Sequence, residues 1–256
     1  GFYEWLGTPE MFRMMHGMKL EFADVFPLIY CKIRLEGMQS YDHIKHLLVD
    51  EMQDYTPVQY AVLSRVFKCK KTILGDVNQP VNPYSASSAE GIEEVFPQGD
   101  IVKLFRSYRS TWEITQFSLR ISPNPNLVAM ERHGEEPEVL GFASADAESE
   151  GIYNACLKFT RSENQSMGVI FKTQQQAARV FEKLTVADRE KELKIHLLTP
   201  DSTSFSSGII VTTVHLSKGL EFDEVLVPFV SAANYKSDID RRMLYIACTR
   251  AMHRLT

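Results

Sequence analysis

The stretch His46-Leu47-Leu48-Val49-Asp50-Glu51-Met52-Gln53-Asp54 constrains this chain more than any other. An apolar run that ends in Asp-Glu reads as a short buried strand with two carboxylates at its C-terminal tip, where open α/β sheets hold their ligands. Adjacent acids suit different jobs in phosphoryl transfer. Asp50 suits a Mg²⁺ ion, held through a water, and Glu51 suits taking the proton from an attacking water. Gln53 and Asp54 follow as polar relays. Such a pair is also common as plain solvated surface, so the downstream segments decide.

Thr56-Pro57 reads as an N-cap followed by proline at the first helical position, with a helix through Gln59, Leu63 and Phe67. Thr72-Ile73-Leu74-Gly75-Asp76 is a second apolar run with an acidic end, and Gln79 lies three residues beyond it. Two neighbouring parallel strands would bring Glu51, Asp76 and Gln79 around one crevice, where an amide can donate to a phosphate oxygen and accept from water. A third run, Ile101-Val102-Lys103-Leu104-Phe105, predicts a strand leading into Arg106-Ser107-Tyr108-Arg109-Ser110. There an arginine can reach phosphate and a tyrosine can stack on an adenine, although solvated surface charge is an equally ordinary use of such residues.

Upstream, residues 1–45 carry apolar residues at roughly helical spacing, with Pro9 and Pro27 at expected helix starts, and read as helices covering a sheet. From 111 to 209 the pattern alternates. Helices are expected at Thr111–Ile121, Asp146–Arg161 and Gln174–Leu184, and strands at Pro137–Phe142, Met167–Phe171 and Lys194–Leu198. This alternation marks a parallel sheet wrapped by helices, so a second doubly wound domain is expected from about residue 106. A strand at Ile209–Thr213 then opens into Val214-His215-Leu216-Ser217-Lys218-Gly219-Leu220-Glu221-Phe222-Asp223. Gly219 permits a close turn, Glu221 can accept from ribose hydroxyls, and His215 and Lys218 suit contacts to phosphates of a nucleic-acid strand or of the nucleotide; a lone histidine here is more often structural. A strand at Glu224–Phe229 and a helix over Asp238–Ala251 follow. The helix carries Arg241, Arg242 and Arg250, and an arginine near a helix end that faces a domain cleft could serve as an arginine finger.

With 256 residues and 44% hydrophobic content, one large or two ordinary packed domains are expected. The net charge of −5 gives no basic excess, so any nucleic-acid groove must be local. Cys31, Cys69, Cys156 and Cys248 lie far apart with no Cys-x-x-Cys pair, which reads as reduced, buried thiols of a cytoplasmic protein. No apolar run approaches the ~20 residues of a membrane helix.

In order, Val49-Asp50-Glu51-Met52-Gln53-Asp54, Gly75-Asp76-Val77-Asn78-Gln79, Tyr108-Arg109-Ser110, Thr213 to Asp223 and Leu244-Tyr245-Ile246-Ala247-Cys248-Thr249-Arg250-Ala251 resemble motifs II to VI of superfamily 1 helicases of the UvrD/Rep type. The wording of Asp54 to Gln59 and of Gly75 to Pro80 is similar to the HelD branch, bacterial ATPases that act on RNA polymerase. The resemblance implies two RecA-like (P-loop NTPase) α/β domains with parallel sheets: residues 1–105, incomplete, with motifs II and III, and residues 106–256 with motifs IV to VI. It also implies ATP and Mg²⁺ as cofactors. Asp50 would bind the metal, Glu51 activate water and Gln79 sense the γ-phosphate. Tyr108 would stack on adenine, Glu221 bind ribose beside Gly219, and Arg109 and Arg250 contact the γ-phosphate. His215 and Lys218 would touch a nucleic-acid strand. The partner would be single-stranded DNA, RNA polymerase or both.

The departures are specific. No Gly-x-x-x-x-Gly-Lys-Ser/Thr loop occurs in the 256 residues, so the chain is expected to be the C-terminal part of a longer motor and inactive alone. The aromatic pair that follows motif III in this family is replaced by Asn82 and Tyr84, which halves the stacking platform for single-stranded DNA. Only about 100 residues separate Arg109 from Thr213, too few for the large inserted subdomain of UvrD and Rep beside a RecA-like fold.

Overall fold

The computed structural model describes residues 22–38, 41–76, 79, 96, 99–188, 193–202 and 207–256, and the chain divides into two units between residues 101 and 102. In the first unit, helix α1 (Phe22–Glu36) begins before Pro27 and carries that proline inside it, so Pro27 is not the helix start expected. Pro9 and Tyr84 lie outside the described residues.

The apolar run before Asp50 forms strand β1 (His46–Val49). It pairs in parallel with β2 (Lys70–Ile73), Val49 opposite Ile73. The crossover between them is α2 (Pro57–Val66), and its start is strongly specified. The Thr56 hydroxyl accepts from the Gln59 N–H, the Gln59 side chain accepts from the Thr56 N–H, and Pro57 occupies the first turn. Tyr60 on this helix is fully buried and donates to the Met52 carbonyl at 2.7 Å, fastening helix to strand tip. Burial, then the nearby Tyr55 and Asp54, push its hydroxyl above the ordinary range, which keeps it a donor.

The second unit begins with two short pieces, β3 (Arg106–Ser107) parallel to β4 (Val128–Ala129), joined through α3 (Trp112–Ile121). The strand expected at 101–105 therefore sits one step later. The Phe105 carbonyl accepts from the Val128 N–H at 2.7 Å, and Val102 and Leu104 stay exposed. After α4 (Ala145–Thr160) come β5 (Ser166–Phe171), α5 (Gln174–Ala187), β6 (Ile195–Leu197), β7 (Gly208–Thr213), β8 (Phe222–Leu226), α6 (Asp238–Cys248) and β9 (Ala251–Leu255). The five strands form one parallel sheet in the order β6-β7-β5-β8-β9. The α/β class with parallel sheets is the one expected and is consistent with a RecA-like arrangement.

Its core explains the order. Met167, Val169 and Phe171 on β5 and Ile209 and Val211 on β7 pack against Ile152, Cys156 and Phe159 of α4 and Ala177, Val180 and Leu184 of α5. A central strand buried on both faces must be apolar nearly throughout, as β5 is.

Three expectations need correction. Residues 137–142 form no strand: Val139 and Leu140 are exposed, and the segment touches the sheet edge through the Glu138 N–H on the Leu255 carbonyl. The last helix stops at Cys248, so Arg250 lies past its end and Ala251 opens a strand. Cys156 and Cys248 are buried, with thiols pushed up to about 12 by burial, but Cys31 is exposed. Among the described residues no helix is long and apolar enough to cross a membrane.

Candidate functional site

In the first unit the parallel ladder continues past both strands. The Leu74 N–H donates to the Val49 carbonyl and the Met52 N–H to the Leu74 carbonyl, each at 2.8 Å, so the tips after β1 and β2 lie side by side. Glu51 adopts a left-handed backbone, φ 53°, uncommon for a residue with a Cβ and costing on the order of 1 kcal/mol. The Asp50 carboxylate accepts its N–H at 2.8 Å and compensates locally.

This turn is tied to Gln53, which is fully buried. Its amide nitrogen donates to Glu51 Oε2 at 2.5 Å and its amide oxygen accepts the Asp76 N–H at 2.9 Å. Asp76 in turn accepts from Gln79 twice: the side-chain amide donates to Oδ2 at 2.8 Å and the backbone N–H to the carbonyl at 3.1 Å. Glu51, Gln53, Asp76 and Gln79 thus form one hydrogen-bonded chain across two strand tips, with exposed Asp50 beside it. The close approach depends on Gly75, where a Cβ would collide with Gln53 Oε1 and stand 2.7 Å from the Met52 nitrogen. Sequence reading picked Glu51, Gln79 and Asp50, and took Gln53 for a relay. Its central place shows only once β2 is set beside β1.

In the second unit, segments distant in sequence meet at the N-terminal ends of β8 and β9. The Phe222 N–H donates to the Arg250 carbonyl at 3.0 Å, and the Ser110 hydroxyl to the Ala251 carbonyl at 2.6 Å. Arg132 Nη2 donates to the carbonyls of Arg109 and Met252. These bonds fasten the Tyr108-Arg109-Ser110 turn to the sheet edge. Arg109 Nε donates to Glu221 Oε1 at 2.5 Å, a pair of side chains 31% and 44% exposed. A pair so open to water contributes at most about 1 kcal/mol to stability. Tyr108 is exposed, with 65% of its surface in solvent.

Arg250 is enclosed instead: Nε donates to the Ile246 carbonyl at 3.2 Å and Nη2 to the Thr249 hydroxyl at 3.4 Å. His215, exposed, and Lys218, half-buried, lie on the turn after β7, which Gly219 closes with φ +80°. Ser217, fully buried, donates to the Val214 carbonyl and shapes that turn from within. Arg132 and the anchoring role of Ser110 escaped sequence reading, because the carbonyls of Met252 and Ala251 that they reach lie more than a hundred residues away. Asp223, beside Glu221, is held below the usual carboxylate range. Burial alone would raise it, but the N–H groups of Gln165 and Ser166, the Ser166 hydroxyl and His253 outweigh that.

Residues 32–96 match the UvrD/REP helicase N-terminal domain and residues 208–256 match the UvrD-like helicase C-terminal domain. The chain is 33% identical over 85 residues to the ATP-dependent DNA helicase UvrD2 of Mycobacterium tuberculosis, covering 31% of this chain and 12% of that protein. It is 24% identical over 160 residues to the ATP-dependent DNA helicase Rep of Escherichia coli, covering 57% of this chain and 24% of that protein. A solved C-terminal domain of a possible DNA helicase from Lactobacillus plantarum WCFS1 superposes with a TM-score of 0.49 at 28% identity, over 59% of this chain and 85% of that one. The chain thus carries two segments similar to UvrD/Rep-type helicase domains and spans a quarter or less of the length of these two relatives.

Proposed function

We propose, from a chain that carries UvrD/Rep-type helicase segments, that the polypeptide it belongs to is an ATP-dependent DNA helicase or translocase coupling ATP hydrolysis to movement along single-stranded DNA. The observation that carries this reading is the chain Glu51–Gln53–Asp76–Gln79, which fixes a carboxylate and an amide on adjacent tips of two parallel strands.

Among the described residues no group of three or more His, Cys, Asp or Glu could cage a metal. One exposed carboxylate, Asp50, fits Mg²⁺, an ion that takes most of its ligands from water and phosphate. Bound Mg²⁺ and ATP would supply the phosphoanhydride and neutralise its oxygens. Glu51 accepts the proton of the attacking water, and Gln53 holds that carboxylate while the Gln79 amide orients phosphate and water. In the second unit Tyr108 offers an open ring face to adenine, Glu221 accepts from ribose beside the Gly219 turn, and Arg109 donates to phosphate. Arg250, which donates to Ile246 and Thr249, is the second arginine to meet phosphate in this reading. His215, Lys218 and Tyr84 contact the DNA strand.

The wording of Asp54 to Gln59 and the charge of −5 favour a second reading, a HelD-like ATPase that remodels RNA polymerase. One assay separates the two. In the full natural polypeptide, Mg²⁺-dependent ATP hydrolysis is expected to fall by about 10²–10⁴-fold in Glu51→Gln and to rise many-fold with a single-stranded oligonucleotide. Stimulation by RNA polymerase and not by DNA selects the second reading. Hydrolysis indifferent to Glu51→Gln overturns both.

A further inference from the structure

We propose that Glu221 withholds Arg109 from bare polyphosphate and releases it when a ribose engages the carboxylate, which makes Glu221 the residue that discriminates a nucleoside triphosphate from its phosphate chain alone. The inference rests on the nucleotide-hydrolysing reading above and adds to it a competition for one guanidinium.

Three observations carry it. First, Arg109 and Glu221 are 112 residues apart in sequence and meet at 2.5 Å, so the pairing is a product of the fold. Second, only the side chain of Arg109 is free to change partner. Its carbonyl is held by Arg132, and the next residue, Ser110, is fastened to Ala251. The Glu221 contact engages Nε, so a phosphate reaches the remaining donors of this guanidinium with the carboxylate still beside it, and an incoming phosphate chain is opposed by that charge until the carboxylate is displaced. Third, both side chains are partly open to solvent, and Glu221 lies two residues after Gly219, which has φ +80° and no described atom within 4 Å of where a Cβ would stand. A ribose brings hydroxyl donors that satisfy the carboxylate without adding charge. A nucleotide thus offers a substitute partner to each member of the pair at once; tripolyphosphate offers one to Arg109 alone.

The test compares binding of ATP and of inorganic tripolyphosphate by calorimetry to the full natural polypeptide. The expected result is that Glu221→Gln, which keeps shape and removes charge, binds tripolyphosphate about tenfold more tightly than the native protein and narrows its preference for ATP. In Arg109→Gln/Glu221→Gln the gain disappears, because the arginine it released is gone. If Glu221→Gln leaves tripolyphosphate binding unchanged or weakens it while ATP binding falls, Glu221 is a ribose ligand or an orienting group only, and the proposal is overturned. A native protein that binds neither compound overturns the nucleotide reading itself, a distinct outcome.

Discussion

Gly75 shows how much of the first strand pair rests on a missing side chain. Adding a methyl there drives it into Gln53 Oε1 and within 2.7 Å of the Met52 nitrogen, and backbone cannot yield as a flexible side chain can. Gly75→Ala is expected to destabilise the first unit by about 1–3 kcal/mol, read as a lower urea midpoint, and to loosen the Gln53 contacts to Glu51 and Asp76 with it. That Glu51 and Gln79 would come together at neighbouring strand tips was legible from residue type and spacing. Gln53 was not, since its partner Asp76 lies across a strand boundary and a buried amide has the same letter as a solvated one. The Arg109–Glu221 pairing was equally hidden, because each residue alone looks like ordinary surface charge.

Elements were legible where apolar periodicity was strong, as in α4, α5, β5 and β7. They were misplaced where tertiary contacts decide. Residues 137–142 alternate like a strand but find one ladder partner, and β9 is too mixed in composition to announce itself before β8 lies beside it. Helix α6 shows local and tertiary signals agreeing. Ser237 and Asp240 form a capping box, and Asp240 also pairs with Lys172 at 2.6 Å, just past the end of β5. Lys172, and then the Ser237 N–H, hold the Asp240 carboxyl far below its usual range. A depressed carboxylate stabilises the fold at neutral pH, and the contribution fades as acidity moves from the ordinary aspartate value of about 4 towards its own lower one. Asp240→Asn is expected to lower the melting temperature at pH 7, by the equivalent of about 1–2 kcal/mol, and to flatten the loss of stability between about pH 4 and pH 2. A thermal-melt series across pH compares the two proteins.

For the molecule as a whole, the order of motifs marked the α/β class and the parallel sheets. On the proposed reading Asp50 and Glu51 belong to the first unit and Arg109 and Arg250 to the second, and the 256 residues contain no Gly-x-x-x-x-Gly-Lys loop. The 256-residue chain by itself is therefore expected to release no phosphate from Mg²⁺–ATP above background, in a coupled assay that registers turnover by the full polypeptide. The strand order of the second unit has a consequence for its biogenesis. Its middle ribbon, residues 166–171, leaves the ribosome before either flanking ribbon exists, so both of its hydrogen-bonding edges lack their sheet partners until residues 208–213 and 222–226 have been translated. Assembly of that sheet is consequently a late event, and a chain stalled short of residue 208 exposes a sticky segment that chaperones would be drawn to cover.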